Sequence, residues 1–179
     1  DNLIYLWDVA SGEIIHELAG HSDWVNSLAF SPDGTQIVST SLDPTVYVWD
    51  VETGERRYEL VGHLEATRDA HFSPDGTQVA TVSDDESVFI WDLATESVYR
   101  SYETTNPQPE RAILFEDGGS TVVTGGGNGE LTRWRIQPLE DLKTWTEQNR
   151  FVPALSCDLR ESYGLACPGG ETGGSSTTG

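Results

Sequence analysis

Methionine is missing from the 179-residue chain, which opens on Asp1. A complete gene product normally begins with Met, so the sequence is expected to be an excerpt of a longer protein. Cations are scarce: Lys plus Arg is 10 against 30 Asp plus Glu, a net charge of −20. Binding a phosphate backbone needs clustered cations, so no nucleic acid partner is expected. Anionic lipid is excluded on the same ground, and no run approaches the roughly 20 apolar residues of a membrane helix. No basic, apolar and small-residue series suggests a signal peptide. Cys157 and Cys167 are the only cysteines and have no His beside them. Zinc needs four ligands, so no metal is expected, and no cofactor. The pair could form a disulfide or remain free thiols, depending on the compartment. What is present is an ordinary globular composition, 36% hydrophobic with 18 Gly, enough for one domain or somewhat more. The excess acid favours solubility and basic partners.

The chain repeats itself. Trp7-Asp8, Trp49-Asp50 and Trp91-Asp92 recur every 42 residues, as do Gly20-His21 and Gly62-His63. Ser31-Pro32-Asp33-Gly34-Thr35-Gln36 returns at 73–78 with the same offset. Phe115 and Trp134 follow Phe72 and Trp91 by 43, so a worn further copy carries one inserted residue between Thr105 and Phe115. Such periods mark stacked supersecondary units.

Each full unit reads as four short strands. In the best copy these are 24–30, 35–41, 45–51 and 56–61. Ser-Pro-Asp-Gly divides the first two, with Pro presetting φ and Gly permitting the turn. The third strands, Ile4 to Trp7, Val46 to Trp49 and Val88 to Trp91, are apolar on both faces, as in strands covered on both sides.

With Gly-His opening and Trp-Asp closing each unit, residues 1 to about 136 resemble the WD40-repeat β-propeller family. The fold implied is all-β: a partial β-propeller of four-stranded antiparallel blades, about three and a quarter repeats, with a short helical C-terminal tail. Repeat units are expected at about 1–19, 20–61, 62–103 and 104–136. A helical extension should span 137–167 and a disordered tail 168–179. The first unit offers only a third and fourth strand, and the last lacks its fourth. The remaining blades are therefore expected upstream in the same chain; closure of a ring by two copies is the alternative.

His21, Ser39 and Asp43 could suggest a hydrolase triad. The resemblance implies instead a structural hydrogen-bond chain through His21, Ser39, Asp43 and Trp49, with Ser39 taken over Ser41. The second set is His63, Thr81, Asp85 and Trp91. Repetition supports this reading, since an enzyme needs one triad, not one per blade. The last unit has Thr105 and Asn128 where His and Asp are expected, but keeps Thr124 and Trp134, so its chain should be incomplete. Gly125 to Gly129 reads as a hairpin turn, lacking the Lys and helix of a phosphate loop. Asp84-Asp85-Glu86 reads as a solvated turn, lacking calcium-loop spacing.

Trp24 has Ala66 as its counterpart and so no repeated core role. Trp, when exposed, is a frequent anchor of binding hot spots. Asn26, Leu42, Arg68 and Asp84 should share its rim, where the family frequently holds a protein or peptide. His16 and His71, the unmatched histidines, are read as strand residues and not as a base. Residues 145–163 resemble the closing segment of large bacterial WD-repeat proteins, which implies a cytoplasmic, multidomain signalling regulator. The resulting expectation is a non-catalytic protein-interaction scaffold. A propeller-based enzyme and a fragment without autonomous function are the alternatives.

Overall fold

The computed structural model describes residues 2–104 and 108–136. These residues are all-β and form four antiparallel sheets. Strands β1 (Leu3–Trp7) and β2 (Ile14–Ala19) make a two-stranded sheet. The second sheet runs β3 (Val25–Phe30), β4 (Gln36–Ser41), β5 (Val46–Asp50) and β6 (Arg56–Leu60). The third repeats it as β7 (Thr67–Phe72), β8 (Gln78–Ser83), β9 (Ser87–Asp92) and β10 (Ser97–Glu103). The fourth has three strands, β11 (Glu110–Glu116), β12 (Thr121–Gly126) and β13 (Leu131–Arg135). Every sheet pairs its strands in sequence order. The helices expected at 137–167, the tail at 168–179, and Cys157 and Cys167 lie outside the described residues.

Turn chemistry sets the strand lengths. The Ser31 hydroxyl donates to Asp33 and accepts from the Gln36 N–H, closing the Ser-Pro-Asp-Gly turn. Gly34 at φ 74° takes the left-handed step that a side chain would resist. Ser73, Asp75, Gln78 and Gly76 repeat the arrangement. At the expected turn, Gly125–Gly129, β12 takes in Gly125 and Gly126, and the Gly126 N–H donates to the Glu130 carbonyl.

The apolar layers lie between successive sheets. Val38, Val46, Val48 and Leu60 of the second pack on Ala70, Phe72, Val79 and Trp91 of the third. Val82, Val88 and Ile90 then pack on Ile113 and Val122 of the fourth. Ile4 and Leu18 of the two-stranded sheet pack on Ile37, Tyr47 and Trp49. This is why Val46 to Trp49 of β5 and Val88 to Trp91 of β9 are apolar on both faces: each run is sandwiched.

The first strands also touch through polar groups. The Ser27 hydroxyl donates to one oxygen of Asp69, and the Ile113 N–H donates to the other, so a single carboxylate ties β3, β7 and β11 together. Thr67 does similar work at the strand start. Its hydroxyl donates to the Ser41 carbonyl and accepts from the Ser41 N–H.

Candidate functional site

Two side-chain chains run through the sheets. In the second sheet Trp49 Nε1–H donates to Ser39 Oγ at 2.8 Å. Ser39 Oγ is 2.8 Å from His21 Nε2, and His21 Nδ1 is 3.0 Å from Asp43 Oδ2. Asp43 also accepts from the Ser22 N–H and from the Thr45 N–H and hydroxyl. In the third sheet Trp91 Nε1–H donates to Thr81 Oγ1 at 2.9 Å, and that hydroxyl is 2.7 Å from His63 Nε2. His63 Nδ1 is 3.1 Å from Asp85 Oδ2, which also accepts from the Leu64 N–H.

One proton arrangement uses every donor. The indole N–H donates to the hydroxyl, the hydroxyl to a neutral imidazole Nε2, and Nδ1–H to the carboxylate. A protonated imidazole would donate from Nε2 as well and leave the buried hydroxyl hydrogen without an acceptor. Electrostatics point the same way. Burial lowers the pKa of His21 and His63 below the usual 6.5, outweighing their carboxylate partners. Burial pushes Asp43 and Asp85 upward, but the hydrogen bonds from Thr45, Ser22, Ser87 and Leu64 outweigh it and hold both below 3.8. The hydroxyl is thus held between two nitrogens inside the sheet, with Ser39 and Thr81 fully buried, and nothing can approach it as an electrophile.

The Gly before each His belongs to the same packing. A Cβ on Gly20 would stand 2.9 Å from Trp49 Cη2, and one on Gly62 would stand 2.9 Å from Trp91 Cη2. In the fourth sheet Trp134 Nε1–H donates to Thr124 Oγ1 at 2.9 Å. Asn128 sits in the turn, its Oδ1 accepting from the Glu130 N–H. Thr105 lies outside the described residues. Trp7 shares the Trp-Asp motif but is 54% exposed, against 2% for Trp49 and 1% for Trp91.

The rim residues gather where the connections between sheets meet the turns between second and third strands. The Leu42 N–H donates to the Trp24 carbonyl, and the Asp84 N–H to the Ala66 carbonyl. The Trp24 ring is 65% exposed. Leu42 is half-buried beside it. Arg68 forks onto Asp84, with Nε donating to Oδ1 at 2.8 Å and a terminal nitrogen bonded to Oδ2. That carboxylate raises the Arg68 pKa. Asn26 is committed elsewhere, since its Nδ2 donates to the Thr67 carbonyl of the next sheet at 2.7 Å. Among the described residues no group of three His, Cys, Asp or Glu is arranged to hold a metal ion.

The unmatched histidines have structural surroundings. His16 Nε2 is 3.0 Å from the Glu52 carbonyl, and His71 is half-exposed with Nε2 4.0 Å from Asp69 Oδ2. Asp69 and Thr67 escaped the sequence reading. Asp69 has Ser27 and Ala112 as counterparts, so no repeat flags it. Thr67 is one of many hydroxyls.

Comparison with known proteins agrees with this geometry. Residues 12–50 and 54–92 match the WD40 family, described as WD domain, G-beta repeat. The chain is 46% identical over 39 residues to Nuclear distribution protein PAC1 of Mycosarcoma maydis, 22% of this chain and 9% of that protein. It is 42% identical over 43 residues to the U5 small nuclear ribonucleoprotein 40 kDa protein of Homo sapiens, 24% of this chain and 12% of the relative. Lissencephaly-1 homolog 1 of Paramecium tetraurelia is 39% identical over 46 residues, 26% and 11% of the two chains. The matched stretches thus span about a tenth of each relative's length. These relatives are eukaryotic, and the bacterial likeness read from residues 145–163 has no counterpart among them. Residues 12–50 and 54–92 thus match WD40 repeats, a class that generally serves as a non-catalytic protein-interaction scaffold.

Proposed function

We propose that this arc of WD40 sheets binds a protein or peptide through the rim formed by Trp24, Leu42, Arg68 and Asp84, and carries no catalysis of its own. The exposed Trp24 ring is the observation that carries the reading. An indole in water costs apolar surface, and the next unit has Ala66 at this position. A large exposed aromatic beside an Arg–Asp pair has the composition of a binding hot spot. The His-hydroxyl-Asp chains are withdrawn from chemistry by burial and by their indole partners, which removes the strongest hydrolase candidate. Asn26 is exposed as well, with its Nδ2 held by the Thr67 carbonyl. The finer reading, a cytoplasmic regulatory arm within a multidomain signalling chain, rests on the resemblance of residues 145–163 alone.

The test places a photo-crosslinking amino acid at position 24 and, as control, at Glu55 among the turns at the opposite strand ends. The partner captured through position 24 is then produced and its affinity measured. Trp24→Ala with Arg68→Ala should weaken binding severely. Unchanged affinity would overturn the assignment, as would equal capture from position 55.

A further inference from the structure

Strand β3 carries a bare apolar pair. Leu28 and Phe30 are 49% and 57% exposed. Ala70 and Phe72, 42 residues later, are 1% and 7% exposed. The difference is what lies beneath them. β7 packs on β3 and β4, and β11 packs on β7 and β8. Each of these first strands thus rests on the first two strands of the sheet before it. β1 and β2 hold the third and fourth places of their unit, so β3 has neither support. The same arrangement leaves one edge of β1 open. Among the described residues β1 pairs only with β2, whereas β5 and β9 pair on both sides. Apolar side chains beside an open backbone edge make a surface that accepts added strands.

The repeat shows what belongs at such a place. Asp1 and Trp7 stand 42 residues before Asp43 and Trp49. In both complete hydrogen-bond chains the His lies 22 residues before the Asp, and the hydroxyl four before it. Trp49, Trp91 and Trp134 each donate to a hydroxyl on the second strand beside them. Trp7 has no second strand beside it and is 54% exposed. The first unit therefore holds the Asp and the Trp of a third set. The His and the hydroxyl of the second set come from the 23 residues Gly20 to Leu42, directly ahead of Asp43.

We propose that Leu28, Phe30 and the open edge of β1 receive a β-hairpin formed by the residues directly preceding Asp1 in the full-length protein, and that this hairpin supplies the His and hydroxyl completing a third buried chain with Asp1 and Trp7. Its second strand pairs with β1, and its two strands cover Leu28 and Phe30 as β3 and β4 cover Ala70 and Phe72. The proposal does not rest on the rim reading, since Trp24, Leu42, Arg68 and Asp84 take no part in it.

Two experiments test it. The first reads the codons ahead of Asp1. A Ser or Thr is expected four residues before Asp1 and a His 22 residues before it. Other residues at both places would overturn the proposal. The second joins a copy of Gly20 to Leu42 directly ahead of Asp1 on the full 179-residue chain. In the extended chain the Trp7 emission, taken as the difference from Trp7→Phe, should move to shorter wavelength. Hydrogen exchange at the β1 amides should slow by about tenfold or more. Leu28→Ser with Phe30→Ser should undo both changes. Replacing the copied Ser39 by Ala should return the Trp7 indole N–H resonance toward its position in the unextended chain, while the β1 amides stay protected. That split separates the hydrogen bond from strand pairing. Emission and exchange identical with and without the copied hairpin would overturn the proposal. So would protection that persists in the Leu28→Ser, Phe30→Ser variant, since the added strands would then lie elsewhere.

Discussion

Three tryptophans occupy the same motif position yet should differ sharply when removed. Trp49 and Trp91 are sandwiched between sheets, and each indole N–H is spent on a buried hydroxyl. Trp7 closes the two-stranded sheet and is half-exposed. Removing a buried Trp loses transfer free energy and leaves a cavity, together about 3–5 kcal/mol. Trp49→Ala adds an unanswered Ser39 oxygen, although that hydroxyl still donates to His21. Trp7→Ala gives up only about half the apolar burial and leaves no enclosed void, about 1–2 kcal/mol. Trp49→Phe separates packing from hydrogen bonding: it keeps most of the volume and should cost about 1–2 kcal/mol. Domain stability is only about 5–15 kcal/mol, so Trp49→Ala should take a large share of it. Urea denaturation of the three variants gives the comparison, provided the slope is unchanged. Equal costs for Trp49→Ala and Trp7→Ala would refute the reasoning that sheet stacking, and not the motif itself, sets the contribution.

Other outcomes follow from the same contacts. Gly20→Ala should cost about 1–3 kcal/mol, because its Cβ would press on the Trp49 ring; an unchanged melting temperature would contradict the close approach. Acid should destabilise the fold in two stages. His21 and His63 are lowered from 6.5 in the folded state, so the unfolded chain binds more protons as pH falls. Their contribution is whole above pH 6.5 and is lost below it. Asp43 and Asp85, lowered from 3.8, add a second loss below that pH. Melting curves across pH 4–7 that stay flat for the wild type would contradict the neutral-imidazole assignment. Asp69→Ala should cost about 1–3 kcal/mol by orphaning the Ile113 N–H, and faster hydrogen exchange at that amide is the readout.

Much of the architecture was legible because the sequence says it more than once. The 42-residue offset placed the second and third sheets, and strand limits such as Arg56–Leu60 fell within a residue of those read from turn signals. The His, hydroxyl, Asp and Trp positions converge in space, and a repeated set of polar residues is visible where a single one is not. What escaped is what differs between copies. Asp69 replaces Ser27 and Ala112 at corresponding positions, so the tie between first strands has no periodic signal. Trp7 carries the same motif as Trp49, but exposure depends on which sheet lies against it. Asn26, assigned to the rim by its position, turns toward Thr67 because the next strand start offers a carbonyl there.

The central claim is that the Trp24 rim is where a protein binds. Its most direct test is the affinity of the partner captured at position 24, measured for the wild type and for Trp24→Ala. A hot-spot tryptophan contributes about 2 kcal/mol or more, which is about a thirtyfold loss of affinity. That loss, with an unchanged melting temperature, is the predicted result. Affinity equal to the wild type would contradict the account and return Trp24 to the ordinary exposed surface.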